Sequence, residues 1–172
     1  MNEVTVRYAI AADNVLLSEV GAQAFRDSFA QENTPENMAA YLATSFSPEK
    51  QAAELADPAC TFFIAEIDGR TAGYAQLRSG PPPTCITGTR PVELVRIYAV
   101  KGWIGRGVGA RLMWACIDEA QRKGGDTLWL GVWERNPRAI AFYRRWGFVE
   151  MGTHAFHLGA DEQTDFLMQK RL

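Results

Sequence analysis

The chain has 172 residues, of which 47% are hydrophobic and 22% are charged, and its formal net charge is -2. This length suits one domain with a substantial core, and the composition excludes a disordered chain. No apolar run reaches the roughly 18 residues of a membrane span, and the first residues lack the basic and apolar regions of a signal peptide. We therefore expect a single cytoplasmic domain over residues 1–172 with no membrane partner.

The near-neutral charge is the sum of unequal segments. Residues 1–95 carry 6 basic and 12 acidic side chains, residues 96–145 carry 10 and 4, and residues 146–172 carry 2 and 4. Six of the 15 glycines lie between Gly102 and Gly125. This asymmetry predicts an anionic ligand for the centre and a cationic one for the flanks, although an ordinary solvated surface explains the charge alone more simply.

The first half of the chain predicts one strand, three helices and a hairpin. A strand over residues 5–10 precedes a helix that Asp13 caps and that runs to about Phe29. Cap-and-proline pairs at 34–35 and 47–48 predict helices that end near residues 42 and 57. Residues 60–67 and 70–77 predict paired strands, because the intervening Asp-Gly pair is a strong hairpin turn signal.

The second half alternates strands and helices after a proline-rich loop over residues 80–91. The patterns predict strands at 92–100 and 128–133, helices at 105–123 and 136–146, and two final strands that turn at residues 159–161. The element order indicates an α/β or α+β fold with a mixed sheet.

Residues 105–110, with the sequence Gly-Arg-Gly-Val-Gly-Ala, join a strand to a helix. Such a loop favours phosphate binding, since successive backbone N–H groups point at the ligand. A Walker A loop is excluded because no Gly-Lys-Ser/Thr follows. A dinucleotide site remains open, with Glu134 as its ribose ligand, but too little chain follows for the remaining parallel strands. A turn without a ligand is the third interpretation.

A second motif narrows these alternatives. Residues 136–148 closely resemble the N-x-x-A-x-x-F-Y-x-x-x-G-F signature of the GNAT superfamily of N-acetyltransferases, and residues 104–109 resemble its Q/R-x-x-G-x-G/A motif. Ile104 departs from the usual Gln or Arg. Segments 93–98, 129–136 and 154–165 look like the bacterial PaiA-type branch, whose members acetylate spermidine and spermine.

This resemblance implies a single-domain GNAT fold. Its mixed, mostly antiparallel sheet of about seven strands is splayed at a parallel pair and flanked by helices. It also implies acetyl-CoA as co-substrate, no metal, and a donor site in which the glycine loop holds the pyrophosphate and the strand near residue 97 pairs with pantetheine. The implied donor-binding residues are Ile97, Tyr98, Ala99, Ile104, Gly105, Arg106, Gly107, Val108, Gly109, Ala110, Asn136, Phe142, Tyr143 and Arg145.

The resemblance further implies two catalytic residues. Glu93 lies six residues before Ala99, the spacing at which the histone-modifying branch carries its base, and Tyr143 matches the tyrosine that protonates the leaving thiolate. An acceptor amine must lose a proton before it attacks, since alkyl ammonium groups have pKa values near 10.4. Purely structural roles stay open: Glu93 pairing with Arg96 or Arg90, and Tyr143 as a core aromatic.

The expected acceptor is a small-molecule amine, with a polyamine as one candidate, and a homodimer is left open. Four acids, Glu32, Glu36, Asp161 and Asp165, are candidates to attract a polycation, although each alone is more typical of a solvated surface. No basic stripe with interleaved aromatics suggests nucleic acid. An acetyl-CoA-binding sensor on the same fold is the alternative function.

No metal site is expected from the cysteines and histidines. Cys60, Cys85 and Cys116 are widely spaced and lack a C-x-x-C pair, which is typical of reduced thiols. His154 and His157 lie three residues apart, so they face opposite sides of a strand.

Overall fold

The computed structural model describes residues 3–172, which form a seven-stranded sheet with five α-helices packed against it. The strands are β1 (Thr5–Tyr8), β2 (Cys60–Ile67), β3 (Arg70–Ser79), β4 (Pro91–Ala99), β5 (Thr127–Trp133), β6 (Val149–Leu158) and β7 (Asp161–Arg171). The helices are α1 (Asn14–Phe29), α2 (Pro35–Ser45), α3 (Pro48–Ala56), α4 (Val108–Arg122) and α5 (Pro137–Arg145).

The sheet has the order β1-β2-β3-β4-β5-β7-β6. All neighbouring strands run antiparallel except β4 and β5, which are parallel and are connected through α4. The predicted mixed, mostly antiparallel sheet with one parallel pair is therefore confirmed. None of the helices within residues 3–172 is both long and apolar enough to cross a membrane.

Each face of the sheet is covered by different helices. On one face, the buried side of α4, with Leu112, Met113 and Cys116, packs in one hydrophobic core with Leu128 and Leu130 of β5. On the other face, Leu17 of α1 packs on residues of β2 and β3, and Phe25 packs on residues of α2. Because alternate residues of a strand point to opposite faces, β4 and β5 contribute side chains to both layers.

Three of the predicted helix caps have the expected geometry. The side chains of Thr34, Ser47 and Asn136 accept hydrogen bonds from the third backbone N–H of α2, α3 and α5, at 3.1 to 3.2 Å. In each case a proline occupies the first helical turn, where its missing N–H leaves no unpaired donor.

Two element starts differ from the prediction. The first strand ends at Tyr8 rather than residue 10, and Asp13 does not cap α1 with its side chain. Its carboxylate instead accepts from the Ile10 N–H at 2.8 Å and pairs with Arg7. The α4 helix begins at Val108 rather than Gly105, since Gly105 and Gly107 have positive φ angles that end the helical geometry.

Candidate active site

A cleft opens where the two parallel strands separate. β4 and β5 pair over only three positions, from Pro91 opposite Thr127 to Glu93 opposite Trp129. β4 then continues to Ala99 and β5 to Trp133 without pairing to each other. The cleft has a volume of about 930 Å³, and both strands line it together with α1, α5 and the glycine loop.

A β-bulge interrupts β4 inside this cleft. Gln76 of β3 lies opposite Arg96, but the next residue, Leu77, lies opposite Leu94, so Val95 is the extra residue. The extra residue of a bulge is left outside the hydrogen-bonded ladder, and the strand bends there. Val95 also lines the cleft. The bulge thus leaves Val95 without a partner in the β3–β4 ladder, at a position that lines the cleft.

The glycine loop and basic side chains form one end of the cleft, which we call the donor end. Gly105 and Gly107 have φ angles of 82° and 83°, and a Cβ added at either would meet no heavy atom within 4 Å. The loop is therefore open toward solvent, and the first amides of α4 have no partner inside the helix. Lys101, Arg138 and Arg145 line the same end. Backbone donors and three cations there suit a pyrophosphate.

Nearly all residues predicted to bind the donor line this cleft. They are Ile97, Tyr98, Ala99, Ile104, Gly105, Gly107, Val108, Gly109, Ala110, Asn136, Phe142, Tyr143 and Arg145. Arg106 is the exception, because its guanidinium lies 5.1 Å from the centre of the Trp103 ring and does not line the cleft. Lys101 and Arg138 were not predicted, because the basic charge of the central segment was the only signal for them in the sequence.

Tyr143 lies on α5 where that helix faces the cleft. The half-buried ring packs edge-on against Phe142 and Phe148, with ring centres 5.5 and 5.8 Å apart. Burial raises the pKa of the Tyr143 hydroxyl, so it is protonated at neutral pH. The structure thus places a neutral O–H donor beside the splayed strands.

Glu93 also lines the cleft, but its ion-pair partner is neither Arg96 nor Arg90. Its carboxylate accepts two hydrogen bonds from Arg78 of β3, at 2.8 and 3.2 Å. Arg96 instead binds Glu54 of α3 at 3.3 Å and Gln76 at 3.0 Å. The two arginines therefore have separate roles: Arg78 holds Glu93, and Arg96 ties α3 to β4.

The opposite end of the cleft, which we call the acceptor end, is aromatic and acidic. Phe25, Phe29, Tyr41, Trp129, Trp133 and Phe156 form its walls. The acids that line the cleft are Asp27, Glu93 and Asp165. Of the four acids predicted to attract a polycation, Asp165 is at the site, whereas Glu32, Glu36 and Asp161 are outside it. Asp27 was missed because nothing distinguishes it from other charged residues of α1.

Asp165 and His154 face each other across β7 and β6 within the cleft. His154 Nε2 lies 3.5 Å from Asp165 Oδ2. Burial raises the pKa of Asp165, which His154 opposes. Both side chains lie over Gly131, where an added Cβ would approach Asp165 Oδ2 to 3.2 Å and His154 Nε2 to 3.3 Å. The absence of a side chain on Gly131 leaves room for this pair in the cleft.

The comparisons with known proteins agree with this geometry. The model of the acetyltransferase (GNAT) family matches residues 23–148. This chain belongs to the GNAT family. An uncharacterized N-acetyltransferase of Lactobacillus delbrueckii subsp. lactis is 35% identical to it over 153 residues, which are 89% of this chain and 88% of that protein. The streptothricin acetyltransferase of Streptomyces lavendulae is 33% identical, covering 54% of this chain and 46% of that protein.

Solved structures give the same fold for the GNAT chain. The PaiA N-acetyltransferase from Thermoplasma acidophilum in complex with coenzyme A has a TM-score of 0.78 at 20% identity, covering 99% of both chains. The chain is therefore an acetyl-CoA-dependent N-acetyltransferase, whose family acts on amines of small molecules or proteins. The open glycine loop and the splayed strands fit the donor. Within residues 3–172, no three His, Cys, Asp or Glu side chains are grouped to hold a metal ion.

Proposed function

We propose that this GNAT enzyme acetylates a primary amine of a small, multiply charged cation, with polyamines as the leading class. The observation that carries the proposal is the opposite charge of the two ends of one cleft. Lys101, Arg138 and Arg145 line the donor end, whereas Asp27, Glu93 and Asp165 line the acceptor end. Arg96 lies there too but is paired with Glu54, and Glu93 is paired with Arg78. Within residues 3–172, Asp27 and Asp165 have no lysine or arginine at ion-pair distance, so they supply the negative charge of this end. A cleft lined by one sign of charge concentrates ligands of the other sign, so each end favours its own substrate.

At the donor end, the backbone of the glycine loop would hold the pyrophosphate, supported by Arg145 and Arg138. Gly107 adopts a left-handed conformation immediately before α4, whose first amides have no partner inside the helix. Asn136 serves as the cap of α5 and lines the cleft as well, which supports its predicted contact with the pantetheine arm. Acetyl-CoA supplies the acetyl thioester that the acceptor amine attacks.

Two features near the strand separation fit the transfer step. A backbone N–H at the Val95 bulge would stabilise the negative charge that develops on the thioester oxygen, an effect that is worth about 3–4 kcal/mol in other enzymes. Tyr143, kept protonated by burial, would protonate the departing thiolate. The amine must also lose a proton at the acceptor end, and Glu93 is the base that the sequence predicts.

The proposal is tested with the purified protein, acetyl-CoA and a panel of amines, with release of the CoA thiol as the measurement. We expect the highest kcat/KM for spermidine and spermine, and a lower value for hexylamine, which has one amino group. Comparing spermidine with hexylamine tests the acidic end, since spermidine carries two more ammonium groups. Streptothricin and peptides with an N-terminal alanine complete the panel.

Two outcomes would contradict the proposal. If hexylamine is used as well as spermidine, the acidic residues do not select a multiply charged acceptor. If the peptides are strongly preferred, the substrate is a protein amine. Binding of acetyl-CoA without thiol release in any reaction would instead favour the sensor function.

A further inference from the structure

The acceptor end holds a histidine and a carboxylate arranged as a proton-accepting pair. His154 Nε2 lies 3.5 Å from Asp165 Oδ2, and a neutral imidazole that turns its N–H toward this carboxylate has its lone pair on Nδ1. Asp165 has 12% of its side chain exposed and His154 has 44%. The carboxylate is thus enclosed, while the imidazole is open to the cleft and to solvent. The imidazole can therefore take a proton from a ligand in the cleft and release it to bulk solvent.

Glu93 is a less suitable base because its carboxylate is held by Arg78. Two N–H groups of Arg78 donate to the same oxygen, Oε2. The lone pairs of that oxygen are therefore occupied by the guanidinium. Within residues 3–172, by contrast, no lysine or arginine lies at ion-pair distance from Asp165.

A second pair on the same hairpin is an internal control. His157 and Glu162 are also opposite each other on β6 and β7, with 3.9 Å between Nε2 and Oε2. Their side chains are 67% and 70% exposed, and neither lines the cleft. The enclosed carboxylate and the position beside Gly131 therefore distinguish the His154 pair from a chance cross-strand contact.

We propose that His154, oriented by Asp165, is the base that deprotonates the acceptor ammonium, an inference that rests on the proposed function. His154 Nδ1 takes one proton from the ammonium and passes it to solvent. The free amine then forms its bond to the acetyl carbon as the carbon–sulfur bond breaks. The second N–H proton reaches the thiolate through the Tyr143 hydroxyl. The sum is an amide, a CoA thiol and one proton released.

Other ionisable groups share this end and are included in the test. Glu93 and Arg96 of β4, Asp27 of α1 and Tyr41 of α2 line the cleft with the pair. Tyr98 of β4 lies there too, and Asp165 acts electrostatically on both Tyr41 and Tyr98. Burial raises the pKa of both tyrosines, so they are neutral where the reaction is assayed. Glu93 is thus the principal rival base.

The experiment compares His154→Gln, Glu93→Gln and the control His157→Gln in pH profiles of kcat/KM. We expect His154→Gln to lose about 100-fold in kcat/KM with spermidine, a typical contribution of a general base, and to lose the acid limb of the profile. The loss should be much smaller with 2,2,2-trifluoroethylamine, which is already neutral at the assay pH. Glu93→Gln should keep the acid limb, and His157→Gln should match the wild type.

Loss of the acid limb in Glu93→Gln but not in His154→Gln would overturn the proposal and assign the base to Glu93. An equal loss with both amines would also overturn it, since His154 would then have only a structural role. Asp165→Asn adds a measurement that needs no turnover: calorimetry with spermidine should show weaker binding than in the wild type, and unchanged binding would contradict the pair. An inactive wild type would instead reject the proposed function.

Discussion

The two ends of the cleft are built in different ways. The donor end draws most of its residues from two short stretches of chain, 99–110 and 136–145, and backbone groups form much of its surface. The acceptor end draws side chains from α1, α2, β4, β5, β6 and β7, which are far apart in sequence. Acetyl-CoA, which is the same donor in every reaction, is thus bound mainly by the local backbone geometry of the glycine loop. The acceptor amine is selected by side chains that only the tertiary fold brings together.

This difference predicts which kinetic constant each change affects. A substitution at the donor end should alter acetyl-CoA binding or the departure of the thiolate, whatever amine is used. A substitution at the acceptor end should have effects that depend on the charge and length of the amine.

The largest effect is expected for Tyr143→Phe. Removing the hydroxyl leaves the ring contacts with Phe142 and Phe148 intact but removes the proton donor for the thiolate. We expect kcat to fall about 100-fold, within the range for general acid catalysis, with little change in acetyl-CoA binding. Steady-state kinetics and calorimetry measure the two quantities.

The loss should be equal for every amine that the enzyme accepts, because the thiolate is the same in each reaction. A loss that varies strongly between amines would place Tyr143 in acceptor selection. Weaker acetyl-CoA binding without a fall in kcat would mean that Tyr143 serves only in packing and binding.

A smaller effect is expected for Gly107→Val in the glycine loop. Gly107 has a φ of 83°, which is unfavourable by about 1–2 kcal/mol for a residue with a side chain. If the loop relaxes out of its binding conformation to relieve this strain, the affinity for acetyl-CoA falls roughly tenfold. KM for acetyl-CoA should therefore rise about tenfold while KM for the amine stays constant. Gly102→Ala is the matched control, since Gly102 has open space around it and lies outside the cleft lining. An equal rise in the amine KM would contradict the separation of the two ends.

The same difference explains how much the sequence could predict. The caps at Thr34, Ser47 and Asn136 and the glycine loop are local patterns, so their positions could be predicted. The Arg78–Glu93 pair could not, because the β4 bulge at Val95 shifts the register of β3 against β4 by one residue. Asp13 was assigned as a helix cap because its actual partner, Arg7, lies on the preceding strand and is not part of the local capping pattern.

The His154–Asp165 pair is an intermediate case. The sequence predicts a turn at residues 159–161, whereas the turn in the structure consists of Gly159 and Ala160, and Leu158 lies opposite Asp161. Counting back along both strands from a two-residue turn places residue 154 opposite residue 165. The pairing was thus within reach of the sequence to within one residue, because the predicted turn is one residue longer than the observed one. Its position in the cleft was not, because that depends on β7 lying between β5 and β6 in the sheet.

The smallest expected effect separates the role of Asp165 in binding from its role in stability. Burial raises the pKa of Asp165, so the folded protein holds the proton more tightly than the unfolded chain. The stabilisation by this bound proton is complete below the unfolded pKa and is lost as the pH rises through the folded pKa. At neutral pH the buried carboxylate is therefore destabilising, and Asp165→Asn should raise Tm there while its activity falls.

The gain in Tm should disappear in acid, and His157→Gln should leave Tm unchanged at both pH values. Thermal unfolding at pH 7 and at pH 3.5 measures this, and a lower Tm for Asp165→Asn at pH 7 would show that the carboxylate holds the acceptor end together rather than being held there for the substrate.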